Sequence, residues 1–172
     1  MRITFKTFTM RLEELPLDVG YACEKVKLKD IHGNQHIIGG QNGNTQLIIT
    51  TPFIDEAFLE ELSEINNNLP QGGDYKVTAS LVVANDSHIN PNLEKINFLI
   101  DSDEEFGDFY ATRLKGVPYN AEFTKALILI SKDGAIFYDE FVKDIENKFK
   151  IDTLLRKIAA AQICYTGTGC HS

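Results

Sequence analysis

The stretch Gln46-Leu-Ile-Ile-Thr-Thr-Pro-Phe-Ile-Asp-Glu56 decides the architecture, because it passes from strand to helix within a few residues. Leu47, Ile48 and Ile49 are three adjacent apolar residues, the pattern of an interior strand covered on both faces. Asp55 has the short carboxylate of a helix N-cap, and Glu56 suits the positive end of the helix dipole. Downstream, Phe58, Leu59, Leu62, Ile65 and Leu69 recur at helical spacing on one face. The run Asn66-Asn-Asn-Leu-Pro-Gln-Gly-Gly73 then ends that helix.

Working outward, Ile3 to Leu12 reads as extended segments forming a hairpin. Lys25-Val-Lys-Leu-Lys29 alternates with period two and ends in the turn Asp30-Ile-His-Gly33. Its lysines suit an edge strand, where charge discourages sheet-to-sheet association. After the helix, Tyr75 to Val83 is the strongest strand pattern, followed by a polar crossover and a short strand at Asn97 to Ile100. Asp101-Ser-Asp-Glu-Glu105 caps a brief helix reaching about Thr112, and Arg113 to Asn120 reads as loop. Thr124 to Ser131 and Ala135 to Phe141 are strands joined by the hairpin turn Lys132-Asp-Gly134. A last helix runs from near Ile151 to Ile163, with Leu154, Leu155, Ile158 and Ala161 on its apolar stripe.

An extended start followed by β-α-β-α-β-β-α gives a parallel crossover and then an antiparallel hairpin. The expected fold is α/β and thioredoxin-like, a mixed central sheet with helices on both faces and an N-terminal hairpin. One domain is expected over residues 1–163, with a Gly- and Cys-containing tail at 164–172.

Composition narrows the function. The chain of 172 residues has 25 acidic against 17 basic side chains, a net charge of -8, and no concentrated run of basic residues. Nucleic acid is therefore not an expected partner. No apolar run approaches the length of a membrane span, and the N-terminus lacks a signal-peptide core, so a cytoplasmic location is expected. Three cysteines cannot all pair within one chain, and a disulfide in a reducing compartment would be transient.

Over its whole length the chain resembles the thiol peroxidase branch of the peroxiredoxins. The resemblance rests on Asp18-Val-Gly20, Pro52-Phe-Ile-Asp55, Glu105-Phe-Gly-Asp-Phe-Tyr110 and Lys125-Ala-Leu-Ile-Leu-Ile-Ser-Lys-Asp-Gly134. It implies a peroxide-reducing, antioxidant oxidoreductase that needs no cofactor, forms homodimers and is recycled by thioredoxin or a small thiol. It also implies that Pro52 is the proline of the active turn. Glu56 then stands where the family has threonine, Leu59 where it has the peroxidatic cysteine, and Lys125 where it has arginine. A leucine cannot attack an O–O bond, a glutamate there opposes a thiolate, and lysine lacks the bidentate fork of arginine. The resolving cysteine is absent too, since Asn85 to Ile96 contains none. The resemblance thus describes a degenerate member, non-catalytic at this turn and acting in binding or redox regulation.

The remaining thiols leave alternatives open. Cys164 and Cys170 are separated by five residues, two of them glycine, so a disulfide is sterically reachable and a relocated thiol–disulfide or peroxidase centre is one reading. Inert tail thiols are another. Cys164, Cys170 and His171 supply three soft ligands, which Cys23 or His32 would have to complete for zinc. His32, His36 and His88 read most simply as solvated polar residues. Tyr110, Tyr119 and Phe123 are candidates for a pocket or dimer contact, as are Phe53 and Phe58 near the turn.

Overall fold

The computed structural model describes residues 1–70 and 76–163. Ten strands and three helices follow in the order β1 (Arg2–Phe5), β2 (Phe8–Leu12), β3 (Val26–Lys29), β4 (Gln35–Ile38), β5 (Thr45–Thr50), α1 (Glu56–Asn68), β6 (Val77–Val83), β7 (Ile96–Ile100), α2 (Glu105–Phe109), β8 (Leu114–Lys115), β9 (Ala126–Ile130), β10 (Ile136–Phe141) and α3 (Ile151–Ile163). Seven strands form the central sheet in the order β10-β9-β5-β6-β7-β3-β4, and β1-β2-β8 form a separate three-stranded sheet. The thioredoxin-like α/β architecture with an N-terminal hairpin is as expected.

β5 is an interior strand of the sheet, and all six of its residues are buried. It runs parallel to β6 and antiparallel to β9. Alternation sends Leu47, Ile49, Leu81, Leu127 and Leu129 to the face covered by α1 and α3. Ile48, Val82, Ile128 and Ile130 face Phe106 and Tyr110 around α2. Those two rings stack with centroids 4.5 Å apart. A third core lies under the small sheet, built on Ile3, Met10, Leu12, Leu114 and Ile145. Among the described residues no helix is long and apolar enough to cross a membrane.

Several expectations are corrected. The lysine-bearing strand β3 is not at the edge: β4 pairs along its whole length and takes that position. Four residues between a turn and Gly39-Gly40 make a strand too short for periodicity to reveal. The segment read as loop after α2 contains β8, which joins β2. α2 also stops at Phe109, well before Thr112. Its start is held by Asp101, whose carboxylate accepts the N–H groups of Phe106 (3.0 Å) and Gly107 (2.8 Å).

His32 is exposed as expected, but His36 and His88 are not simply solvated. His36 Nε2 meets Asp30 at 2.8 Å, and His88 Nε2 meets Glu122 at 3.0 Å with both side chains largely buried. Phe58, Tyr110 and Phe123 are core residues, so none of them offers a dimer contact.

Candidate functional site

The turn after β5 is fixed from both sides. Thr50 Oγ1 donates to the Thr124 carbonyl at 2.6 Å, which ties the end of β5 to the residue preceding Lys125. Thr51 Oγ1 donates to the Phe53 carbonyl at 2.6 Å, shaping the turn around the buried Pro52. Asp55 then caps α1 as its sequence predicts, accepting the Phe58 N–H at 2.9 Å. α1 presents Phe58, Leu62 and Ile65 to the core, and one charged residue, Glu61, shares that buried face.

Glu61 and Lys125 form an ion pair of 2.7 Å whose side chains are only 5% and 4% exposed. The second Glu61 oxygen accepts the Phe149 N–H at 2.7 Å. Lys125 Nζ also donates to the Asn147 carbonyl at 2.6 Å. The same ammonium lies 4.9 Å from the Phe149 ring centroid and 5.6 Å from that of Phe58. Both charges are therefore desolvated but fully engaged, the condition under which a buried pair persists.

Above this pair lies a cavity of about 440 Å³. Phe5, Phe53 and Tyr119 form its aromatic wall, with ring centroids 5.2 to 5.4 Å apart. Burial and then the charge of Asp55 raise the pKa of Tyr119 above its ordinary value. The lining carries three lysines (Lys6, Lys125, Lys148) and three carboxylates (Asp55, Glu61, Glu146), so its formal charges balance. Among the described residues its lining contains no thiol and no histidine.

Of Pro52, Glu56, Leu59 and Lys125, only Lys125 lines this cavity, whereas the pocket candidates Phe53 and Phe58 both do. Pro52 is buried in the turn and Glu56 is exposed. Leu59 is half-buried and packs against the main core with α1 and α3. Sequence reasoning missed Glu61, although its place three residues after Phe58 on an apolar stripe is a legible signal. Phe5 was missed as well, since the hairpin turn carries it there from far along the chain.

Cys164, Cys170 and His171, and with them the relocated redox pair and the tail metal site, lie outside the described residues. Cys23 is described: it is buried, unpaired, and pushed up to about 12 mainly by desolvation, so it stays a protonated thiol at neutral pH. Among the described residues no group of three or more His, Cys, Asp or Glu side chains could hold a metal ion.

No family model matches the sequence, and no curated protein matches it. Solved structures do. A peroxiredoxin-like protein from Aquifex aeolicus superposes with a TM-score of 0.80 at 19% identity, over 93% of this chain and 96% of the other. A thiol peroxidase from Chromobacterium violaceum gives a TM-score of 0.75 at 16% identity, over 94% of this chain and 97% of the other. AhpC from Mycobacterium tuberculosis gives 0.64 at 12% identity, over 91% and 97%. The shared property is the peroxiredoxin fold, over nearly the full length of each chain.

Proposed function

We propose that this protein is a thiol-peroxidase-like member of the peroxiredoxin group that does not reduce peroxide at the turn after β5, and that binds a small neutral ligand there. The observation carrying this reading is the engagement of Lys125. Peroxide reduction needs a thiolate and a free cationic donor to stabilise it and the leaving oxygen. Lys125 instead spends its charge on Glu61 at 2.7 Å and its remaining donors on Asn147 and two rings. Leu59, at the position the resemblance gives to the peroxidatic cysteine, carries no nucleophile and turns toward the core.

What remains is a cavity with an aromatic wall and balanced charges, the composition of a pocket for an uncharged aromatic or aliphatic group. Its position beside Phe53 also supports a homodimer contact at this end of the molecule, as the resemblance implies. Binding is tested by NMR titration with indole, a neutral aromatic probe. Shifts are expected at the Phe53, Tyr119 and Lys125 amides, and Tyr119→Ala removes them. Shifts spread over the molecule, or unchanged by Tyr119→Ala, refute the pocket reading.

The relocated redox pair makes a different prediction. It requires a loss of two hydrogens from the intact mass after mild peroxide, reversed by thioredoxin or dithiothreitol, and absent in Cys170→Ser.

A further inference from the structure

The small sheet brings together three cations that are far apart in sequence. Arg2 on β1 stands directly opposite Arg11 on β2, and Arg11 directly opposite Lys115 on β8. Directly opposed residues share a face of a sheet, and here the inward face belongs to Ile3, Met10, Leu12 and Leu114. Arg2, Arg11 and Lys115 are thus exposed together on the outer face. With neighbouring strands about 5 Å apart, the three form a row of roughly 10 Å across the sheet.

None of the three has an ion-pair partner among the described residues. All three line one shallow groove of about 540 Å³, and among the described residues none that lines it is acidic. Gly116 also lines the groove, with φ +109°, a backbone conformation that side-chain-bearing residues rarely adopt. Like charges directly opposed on neighbouring strands destabilise a sheet. This protein carries two such pairs in succession while its overall charge is -8.

We propose that this face is a binding site for a compact, multiply charged soluble phosphate. A ligand supplies the missing countercharge to these three adjacent cations only if it gathers several negative charges within the length of the row. The two guanidinium groups fit phosphate oxygens as paired donors. An extended polyanion, whether nucleic acid or an anionic membrane surface, would meet the acidic remainder of the protein and be repelled. The site is separate from the cavity beside α1 and does not depend on the function proposed there.

Inorganic tripolyphosphate is the probe, titrated calorimetrically at low and at physiological salt. One saturable site is expected, weakened by salt. Arg11→Gln, which removes the central charge, is expected to weaken it about tenfold or more, the cost of a lost charge-assisted contact. Lys27→Gln, on the other sheet, should leave affinity unchanged. A thermal midpoint for Arg11→Gln at or above that of the parent would show that the fold is intact and the like-charge repulsion relieved. Absence of saturable binding overturns the proposal, as does an equal loss in Lys27→Gln. Tighter binding to single-stranded DNA or to anionic vesicles at the same salt also overturns it.

Discussion

Removing one member of the Glu61–Lys125 pair should destabilise the protein far more than removing both. In Glu61→Leu, the Lys125 ammonium stays about as buried as before, at 4% side-chain exposure, but has only the Asn147 carbonyl and two ring faces for company. Breaking such a pair costs about 3–5 kcal/mol because a charge is left uncompensated. Lys125→Met leaves the Glu61 carboxylate with the Phe149 N–H alone and should cost a similar amount. In the double variant both desolvation penalties vanish. The main residue of damage is then the unpaired Phe149 N–H, worth roughly 1–3 kcal/mol. The expected coupling is therefore several kcal/mol, with the double variant more stable than either single. Urea denaturation measures it, provided the m-value is constant across the set. Additive single effects, or singles that each cost less than about 1 kcal/mol, would refute the claim that both groups are charged and mutually compensating.

Three further outcomes follow from the same structure. In a Cys164→Ser/Cys170→Ser background, Ellman's reagent should label no thiol in the native protein and one in denaturant, because Cys23 is buried with its pKa pushed up to about 12. Gly39→Ala should destabilise by more than about 2 kcal/mol in a thermal melt: the backbone is left-handed at φ +81°, and a Cβ would collide with the Tyr110 hydroxyl and the Glu24 carbonyl. Burial works to raise the pKa of Glu122, but hydrogen bonds from His88 and Asn85 outweigh it and hold the carboxyl below its ordinary 4.5. A lowered carboxylate stabilises the fold above its unfolded pKa and loses that contribution as pH falls through the folded value. The stability gap between the parent and Glu122→Gln should thus be full at pH 6 and close on acidification below about 4.5, as followed by denaturation across pH.

Local signals carried most of the fold. Asp55 as N-cap, the apolar face of α1, the buried run of β5 and the turn Lys132-Asp-Gly134 are each legible because cause and effect lie within a few residues. The errors arose where partners are distant or elements short. β4 is four residues long, and its pairing moved β3 off the edge. His88 finds Glu122 across 34 positions, and Glu61 finds Lys125 across 64. The row of Arg2, Arg11 and Lys115 shows the same limit. A scan for adjacent basic residues cannot see three strands that register brings side by side.

At the candidate site, the residue types were readable and their arrangement was not. Lys125 could be singled out only by the resemblance, as the residue standing where the family has arginine, and only packing reveals that a glutamate from α1 has claimed its charge. Tyr119 was recognisable as a pocket or interface residue, whereas Phe5 reaches the same wall through the β1–β2 turn. For Leu59 the half-buried position against the core agrees with an apolar packing role.

The most direct test is rapid-mixing measurement of hydrogen peroxide and alkyl hydroperoxide consumption by the reduced protein and by its Cys164→Ser/Cys170→Ser variant. The account predicts that both proteins consume either peroxide no faster than free cysteine at equal thiol concentration. Rapid consumption that persists in the variant would contradict the account at the turn itself, and rapid consumption lost in the variant would move the chemistry to the tail cysteines.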